Sequence, residues 1–447
     1  MKHKIWIFLT GCILFSLTLA ASNVGKRYPS EKHTITDSIT GRTLTVLTAS
    51  TYSDAKPYHT HDTWTSDGQW IIFRSQRGDK GSQLFVVNET TGDIVQLTDD
   101  PGVNTGSLNL SRKEMKLFFI RGNNRSEQTP RQIVELHIGR LLQDAMSGTV
   151  GEPESYERIV LVLPSDMQGS NMALDADETR LYLGISFPLP KEPDSQAAVQ
   201  AQPAGDRSSI DNRNTNSAES REAARARFEA AGKGKCGIRA IDIRTGEITK
   251  VIDIDFRVGH IQANPWVPGE IIYCHETTGD APIRIWTVDA DGSNNRPVYV
   301  ETPDEWITHE TVSGRDELMF NIMGHLPYLR EKPTGIAVVN LRTRQMKLLG
   351  QIEENMGRGQ QGGFWHSNGS PDGRWATGDT FRGSVYLLNR ETGERILLTT
   401  GHRMRPDHAH PIFSPDSKRI LIQSGMLTDG RALNLMVVGV EELRIRN

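Results

Sequence analysis

The chain has 447 residues, of which 36% are hydrophobic and 24% charged, the balance of an ordinary globular protein. Its net charge is −4 and its pI about 6.4, so it lacks the basic character that a nucleic-acid partner calls for. An anionic small ligand is not excluded, because a few local arginines can hold a carboxylate through paired hydrogen bonds.

At the N-terminus, Lys2, His3 and Lys4 precede an apolar run from Ile5 to Leu19, and Ala20-Ala21-Ser22 supplies small residues for cleavage. Residues 1–21 therefore read as a cleaved export signal, which predicts a periplasmic or secreted protein. The run is shorter than the ~20 residues that span a bilayer, which makes a membrane anchor the weaker alternative. Lipid attachment at Cys12, in Leu9-Thr10-Gly11-Cys12, is a second alternative, disfavoured because the apolar run continues past it. No other segment reads as a membrane span. Cys236 and Cys274 remain after cleavage. They are either a disulfide, which an oxidising compartment permits, or two buried thiols.

The following residues repeat one module: a turn of the type Ser-Pro-Asp-Gly, a strand, a loop, a second strand, a Thr-Gly or Asp-Gly turn and a third strand. The first full copy runs through Ser66-Asp67-Gly68, Gln69–Arg74, Gln83–Asn88, Thr91-Gly92 and Ile94–Thr98. The next begin near Ser111 and Asp175. Residues 187–234 then interrupt the pattern. Their first part, 187–216, is rich in Pro, Ala, Gln, Asn, Ser and Asp, and residues 217–231 read as a helix with Ser217 as its cap. This insertion is either a disordered surface loop or a lid over a central cleft. Further copies start near Pro268, Ser313, Ser370 (with Pro371-Asp372-Gly373) and Ser414. Seven copies at a spacing of about 40–50 residues predict an all-β fold, a seven-bladed β-propeller over residues 35–441. The segment Gly41–Thr48 resembles a final blade strand, and is expected to pair with the C-terminal blade and close the ring.

Histidine placement carries the chemistry. Six of thirteen histidines lie in distinctive contexts: Gly259-His260-Ile261-Gln262, Cys274-His275-Glu276, Thr308-His309-Glu310, Trp365-His366-Ser367-Asn368 and Asp407-His408-Ala409-His410-Pro411. His408 and His410 are two apart, so on a strand they would share a face. Together with His366, which precedes its blade turn in the same way, they are either a three-imidazole site suited to a divalent transition metal or surface, hydrogen-bonded histidines. His309 stands just before Ser313-Gly314, so all four are expected to face one central pocket. Arg284 is the preferred carboxylate clamp and Arg74 the second choice, the alternative for either being a solvated surface arginine. His260 and His275 either line the pocket or are structural histidines bonded between blades.

The run Cys274-His275-Glu276, Arg284-Ile285-Trp286, Asp291-Gly292-Ser293-Asn294 and Thr308-His309-Glu310, with His366–Gly373 and His408-Ala409-His410-Pro411, resembles the oligogalacturonate lyases, polysaccharide lyase family 22. The resemblance is strongest over residues 235–440 and looser over 40–185. It implies a manganese-binding propeller that cleaves short oligogalacturonides, fragments of pectin, by β-elimination. It places the catalytic base on His309 and the metal ligands on His366, His408 and His410. Where the family carries a glutamine three residues before the histidine pair, this chain has Arg405. That departure leaves two readings: three protein ligands plus water, or a positive charge from Arg405 acting on the substrate. Alternatives are a lyase acting on another uronate oligosaccharide and a non-enzymatic, TolB-like periplasmic propeller.

Overall fold

The repeated turn closes each module for a reason that is visible in its hydrogen bonds. In the sixth repeat the Ser370 hydroxyl donates to Asp372 Oδ1 at 2.6 Å, and the same oxygen accepts the Arg374 N–H at 3.1 Å. Gly373 follows at φ 72°, the left-handed conformation that suits glycine. Thr65, Asp67 and Gly68 repeat the arrangement in the first copy, and Ser414 and Asp416 in the last. At the far hairpin, the Asn88 and Asn389 side-chain carbonyls each accept two successive N–H groups, which sets up the bends before Gly92 and Gly393.

These turns join short antiparallel strands into seven blades in the computed structural model, which describes residues 22–78, 80–122, 129–169, 171–187, 236–276, 283–301, 305–324, 334–357 and 360–440. The fifth blade, for example, is Glu305–Gly314, Glu317–Gly324, Gly335–Asn340 and Met346–Gln351. In five blades the first strand in sequence is the innermost, and in the last blade Ile412–Phe413 takes that place while the N-terminal strands form its outer side. In the first blade residues 55–64 take that place, pairing with the next strand through isolated bridges from Ala55 to Arg74 and from Trp64 to Ile71.

Among the described residues the apolar core falls into seven clusters, one for each blade–blade interface. Burial of apolar surface between blades is thus the force that makes the ring. One cluster joins Leu421, Leu435 and Val437 of the last blade to Trp64, Ile71 and Phe73 of the first. As expected from Gly41–Thr48, strand Thr43–Val46 pairs with Asn434–Gly439, Leu44 opposite Val438.

Four features depart from the sequence reading or complete it. The ring reaches upstream of residue 35, because Arg27–Tyr28 pairs with the outer strand of the first blade and His33–Thr36 with Thr43–Val46. A helix, Ile138–Ser147, extends the second blade; it buries Ile138, Leu141, Leu142 and Ala145, one helical stripe, and stops at Gly148 in the left-handed conformation. Cys236 and Cys274 are buried free thiols, so of the two alternatives the disulfide falls. The insertion leaves and re-enters one hairpin of the third blade, since Ser186 faces Cys236 across the strands. Residues 188–235, and with them most of the proposed loop and the helix at 217–231, lie outside the described residues, as do the export signal and Cys12.

Candidate active site

The innermost strands are irregular where the histidines sit. Register shifts fall between Gly259 and Gln262, between Thr308 and Thr311, and between Phe364 and His366. His260, His309 and His410 have φ values of 43°, 57° and 46°. A non-glycine residue held there costs about 1–3 kcal/mol, and such strain collects at functional sites. A bulge aims a side chain off the regular alternation of a strand. The expectation that His408 and His410 share a strand face is therefore corrected. Both precede the short strand Ile412–Phe413, and their rings lie 6.2 Å apart at 83°. They converge through loop geometry.

His366 is the hub. Its ring centroid lies 3.8 Å from that of His410, 4.2 Å from His309, 5.2 Å from His408 and 5.3 Å from His59. The four rings predicted to meet do meet, and His59 of the first blade joins them. Tyr58 packs beside His59, with centroids 4.3 Å apart.

Hydrogen bonds fix which ring nitrogen is free. A carbonyl oxygen only accepts, so the contact between His309 Nδ1 and the Trp365 carbonyl puts the proton on Nδ1 and leaves Nε2 as a lone pair. By the same logic His59 donates from Nε2 to the His309 carbonyl at 3.5 Å, and its buried Nδ1 has no protein partner. His366 Nδ1 faces Asp379 Oδ1 at 3.1 Å, and His410 Nε2 faces Asp407 Oδ1 at 3.1 Å. The buried Nδ1 atoms of His408 and His410 have no protein partner. Asp379, fully buried, also accepts the backbone N–H groups of His366 and His410 at 2.8 and 2.9 Å.

Burial, then the neighbouring imidazoles, holds His59, His309 and His366 well below the usual histidine pKa; Lys56 also depresses His59 and His366. His408 is lowered by burial as well. Neutral imidazoles serve both as metal ligands and as bases. The His366, Asp379 and His408 ligand atoms lie within 4.8 Å of one another. That closeness, with the partnerless nitrogens of His408 and His410, fits a divalent transition metal.

Beside this centre lies a second buried group. Arg284 Nε donates to Glu310 Oε2 at 3.2 Å, and Glu310 Oε1 is 3.2 Å from His260 Nδ1. Burial raises the Glu310 carboxyl, but Arg284 and His260 outweigh it and keep the group ionised. Arg284, the expected clamp, thus has Nε engaged with Glu310. The His260 ring reaches the pocket, 5.4 Å from Tyr58. His275 stacks on Phe256, centroids 4.2 Å apart. Arg74 lines a cavity of about 90 Å³ together with Lys56, Asp407 and His410. Arg405 is exposed in the segment leading to His408.

Sequence reasoning missed Lys56, Tyr58, His59, Asp379 and Asp407. A signal existed for the first blade. His309, His366 and His410 each stand four residues before the turn residue of their blade, and so does His61, relative to Thr65; His59 then matches His408.

Fold and site together define a seven-bladed propeller with a polyhistidine centre where its inner strands meet. Known relatives sharpen that class. The chain is 23% identical to the oligogalacturonate lyase of Dickeya dadantii over 434 residues, covering 91% of this chain and 96% of that one. It is 21% identical to the oligogalacturonide lyase of Pectobacterium atrosepticum, with the same coverage. A solved structure of an oligogalacturonate lyase in complex with manganese superposes with a TM-score of 0.72 at 21% identity, covering 94% of this chain and 99% of the other. The Vibrio parahaemolyticus oligogalacturonate lyase gives 0.71 at 19%, with the same coverage. No protein-family model matches the chain. The resemblance first read mainly from residues 235–440 thus extends along nearly the whole chain, whose relatives are oligogalacturonate lyases.

Proposed function

We propose that this chain is an exported oligogalacturonate lyase-like enzyme that breaks short uronate oligosaccharides by metal-assisted β-elimination. The observation that carries the reading is the contact between His309, with Nε2 free, and buried His366, around which His408 and His410 also gather. The trio His366, His408 and His410 would hold a divalent cation such as manganese, with Asp379 fixing His366 from behind. Bound there, the cation would act as a Lewis acid toward the substrate carboxylate.

The rest falls to the protein. His309 Nε2 takes the proton from the carbon beside the carboxylate. The electron pair of that C–H bond becomes the new C=C bond as the glycosidic C–O bond breaks, and the departing oxygen takes up a proton. The Trp365 carbonyl holds the ring of His309 in the reactive tautomer. Exposed Arg405, standing where the resemblance puts a glutamine, keeps a second reading open, that the substrate is another uronate oligomer.

The test is incubation with digalacturonate and with glucuronate oligomers, with added manganese or EDTA, following the absorbance of the unsaturated product. Product from galacturonate alone supports the main reading; product from the other oligomer alone supports the second; none from either overturns both. His309→Ala should abolish turnover and keep the metal. His408→Ala and His410→Ala should each strip it. Export would show as a mature chain beginning near Ser22.

A further inference from the structure

We propose that Lys56 and Arg74 form a carboxylate-binding subsite beside the histidine centre, one that holds a uronate carboxylate. The identity of the anion rests on the lyase reading; the subsite itself rests on the following geometry.

Lys56 is only 2% exposed. Its Nζ donates to the Pro57 carbonyl at 3.2 Å, and among the described residues no carboxylate lies within ion-pair distance of it. The Arg74 side chain, half-buried on strand Trp70–Ser75, likewise has no ion pair among the described residues. Lysine and arginine are almost never buried without a partner, because removing a charge from water costs more than packing returns.

The nearby carboxylates are already engaged. Asp407 meets His410 Nε2 and accepts from Gln423 Nε2 at 3.2 Å and from the His408 N–H at 2.9 Å. Asp379 is taken by His366 and His410. Two cations therefore face one cavity of about 90 Å³ whose one lining carboxylate, Asp407, is taken up by other partners. Such a volume has room for several waters or for a carboxylate. His410 lines the same cavity, so an anion held there lies next to the proposed metal ligands. Burial drives the Lys56 amine down to about 7 while Asp407 and Asp379 oppose it, which is the electrostatic mark of a cation short of a counter-charge. Sequence reading proposed Arg74 alone; Lys56 supplies the second donor group.

The experiment measures binding of galacturonate, its neutral counterpart galactose and inorganic phosphate to the manganese-loaded protein and to its Lys56→Met and Arg74→Gln variants. Each variant should lose about 10- to 100-fold in galacturonate affinity, the range for a charge-assisted hydrogen bond, and keep its galactose affinity and its metal. KM for oligogalacturonide should rise by a similar factor with kcat little changed, because the contact is made equally in the ground and transition states. Met conserves the volume of Lys and removes a buried charge, so the melting temperature of Lys56→Met should hold or rise. Unchanged galacturonate affinity in both variants overturns the subsite, and so does loss of the metal from Lys56→Met. Tighter binding of phosphate than of galacturonate overturns the uronate assignment. Galacturonate binding that depends on Lys56, in a protein that makes no unsaturated product, leaves the subsite standing and removes the lyase reading.

Discussion

At the scale of single residues, Asp379 does the most with the fewest atoms. One carboxylate accepts from two backbone N–H groups, on His366 in the sixth blade and His410 in the seventh, and orients the His366 ring. A carboxylate behind a metal-bound imidazole fixes its tautomer and raises its basicity. Asparagine would keep one acceptor and turn a donor toward a donor. Asp379→Asn is therefore expected to weaken manganese binding by about 10- to 100-fold, the usual cost of losing such support. Metal titration of the purified variant checks this, and wild-type affinity would show that Asp379 only fills space.

At the scale of elements, turns and bulges divide the work: turns repeat, bulges specialise. Gly373 and Gly383 make the point, both lying at positive φ in the sixth blade. A Cβ on Gly373 meets nothing within 4 Å, so Gly373→Ala should cost about 1–2 kcal/mol, the left-handed strain alone. A Cβ on Gly383 would stand 1.7 Å from the His402 carbonyl oxygen, and His402 opens the segment that carries His408 and His410. Gly383→Ala should cost more than about 4 kcal/mol and lower the metal content, whereas Gly373→Ala should keep its metal. Denaturant titration and metal analysis of the two variants check both expectations. This division also explains what could be read from the chain. The turns were legible because, in the clearest copies, Ser or Thr, Asp and Gly answer to local hydrogen bonds and φ. The convergence of His309, His366 and His410 was legible because each keeps the same offset from its turn, and that of His408 because it stands two residues from His410. The left-handed backbone of His260, His309 and His410 was not, since nothing local demands it. Lys56 and Asp379 were invisible because their meaning lies in what they face across blades. The helix Ile138–Ser147 was legible in its spacing of apolar residues but was masked by the repeat.

At the scale of the whole molecule, the site exists only while the ring is closed. His59 and His410 come from nearly opposite ends of the chain, yet their ring centroids are 5.8 Å apart. Closure rests on Thr43–Val46 joining the last blade and on Asp37, just upstream. The Asp37 carboxylate accepts from the Thr399 hydroxyl at 3.0 Å and the Thr400 N–H at 2.6 Å, and binds Ile39 and Thr40 in its own turn. Burial raises its carboxyl, but these donors outweigh it and hold the group at about 2, below the ordinary 3.8. A carboxyl depressed by folding stabilises fully above its unfolded pKa and loses that contribution as pH falls toward the folded value. Asp37→Ala should accordingly destabilise the protein at pH 7 by about 1–3 kcal/mol, as expected for hydrogen bonds to a charged group. The gap between variant and wild type should narrow below about pH 4, where the unfolded carboxyl begins to bind its proton. Urea midpoints measured from pH 7 down to pH 3 test this. A gap that stays constant with pH would mean that Asp37 holds the closure by shape and not by charge. A gap that narrows as expected would mean that the contact tying the segment before Thr43–Val46 to the sixth blade draws its strength from one ionised carboxylate, while the strand pairing and the apolar cluster between the last and first blades hold the rest of the closure.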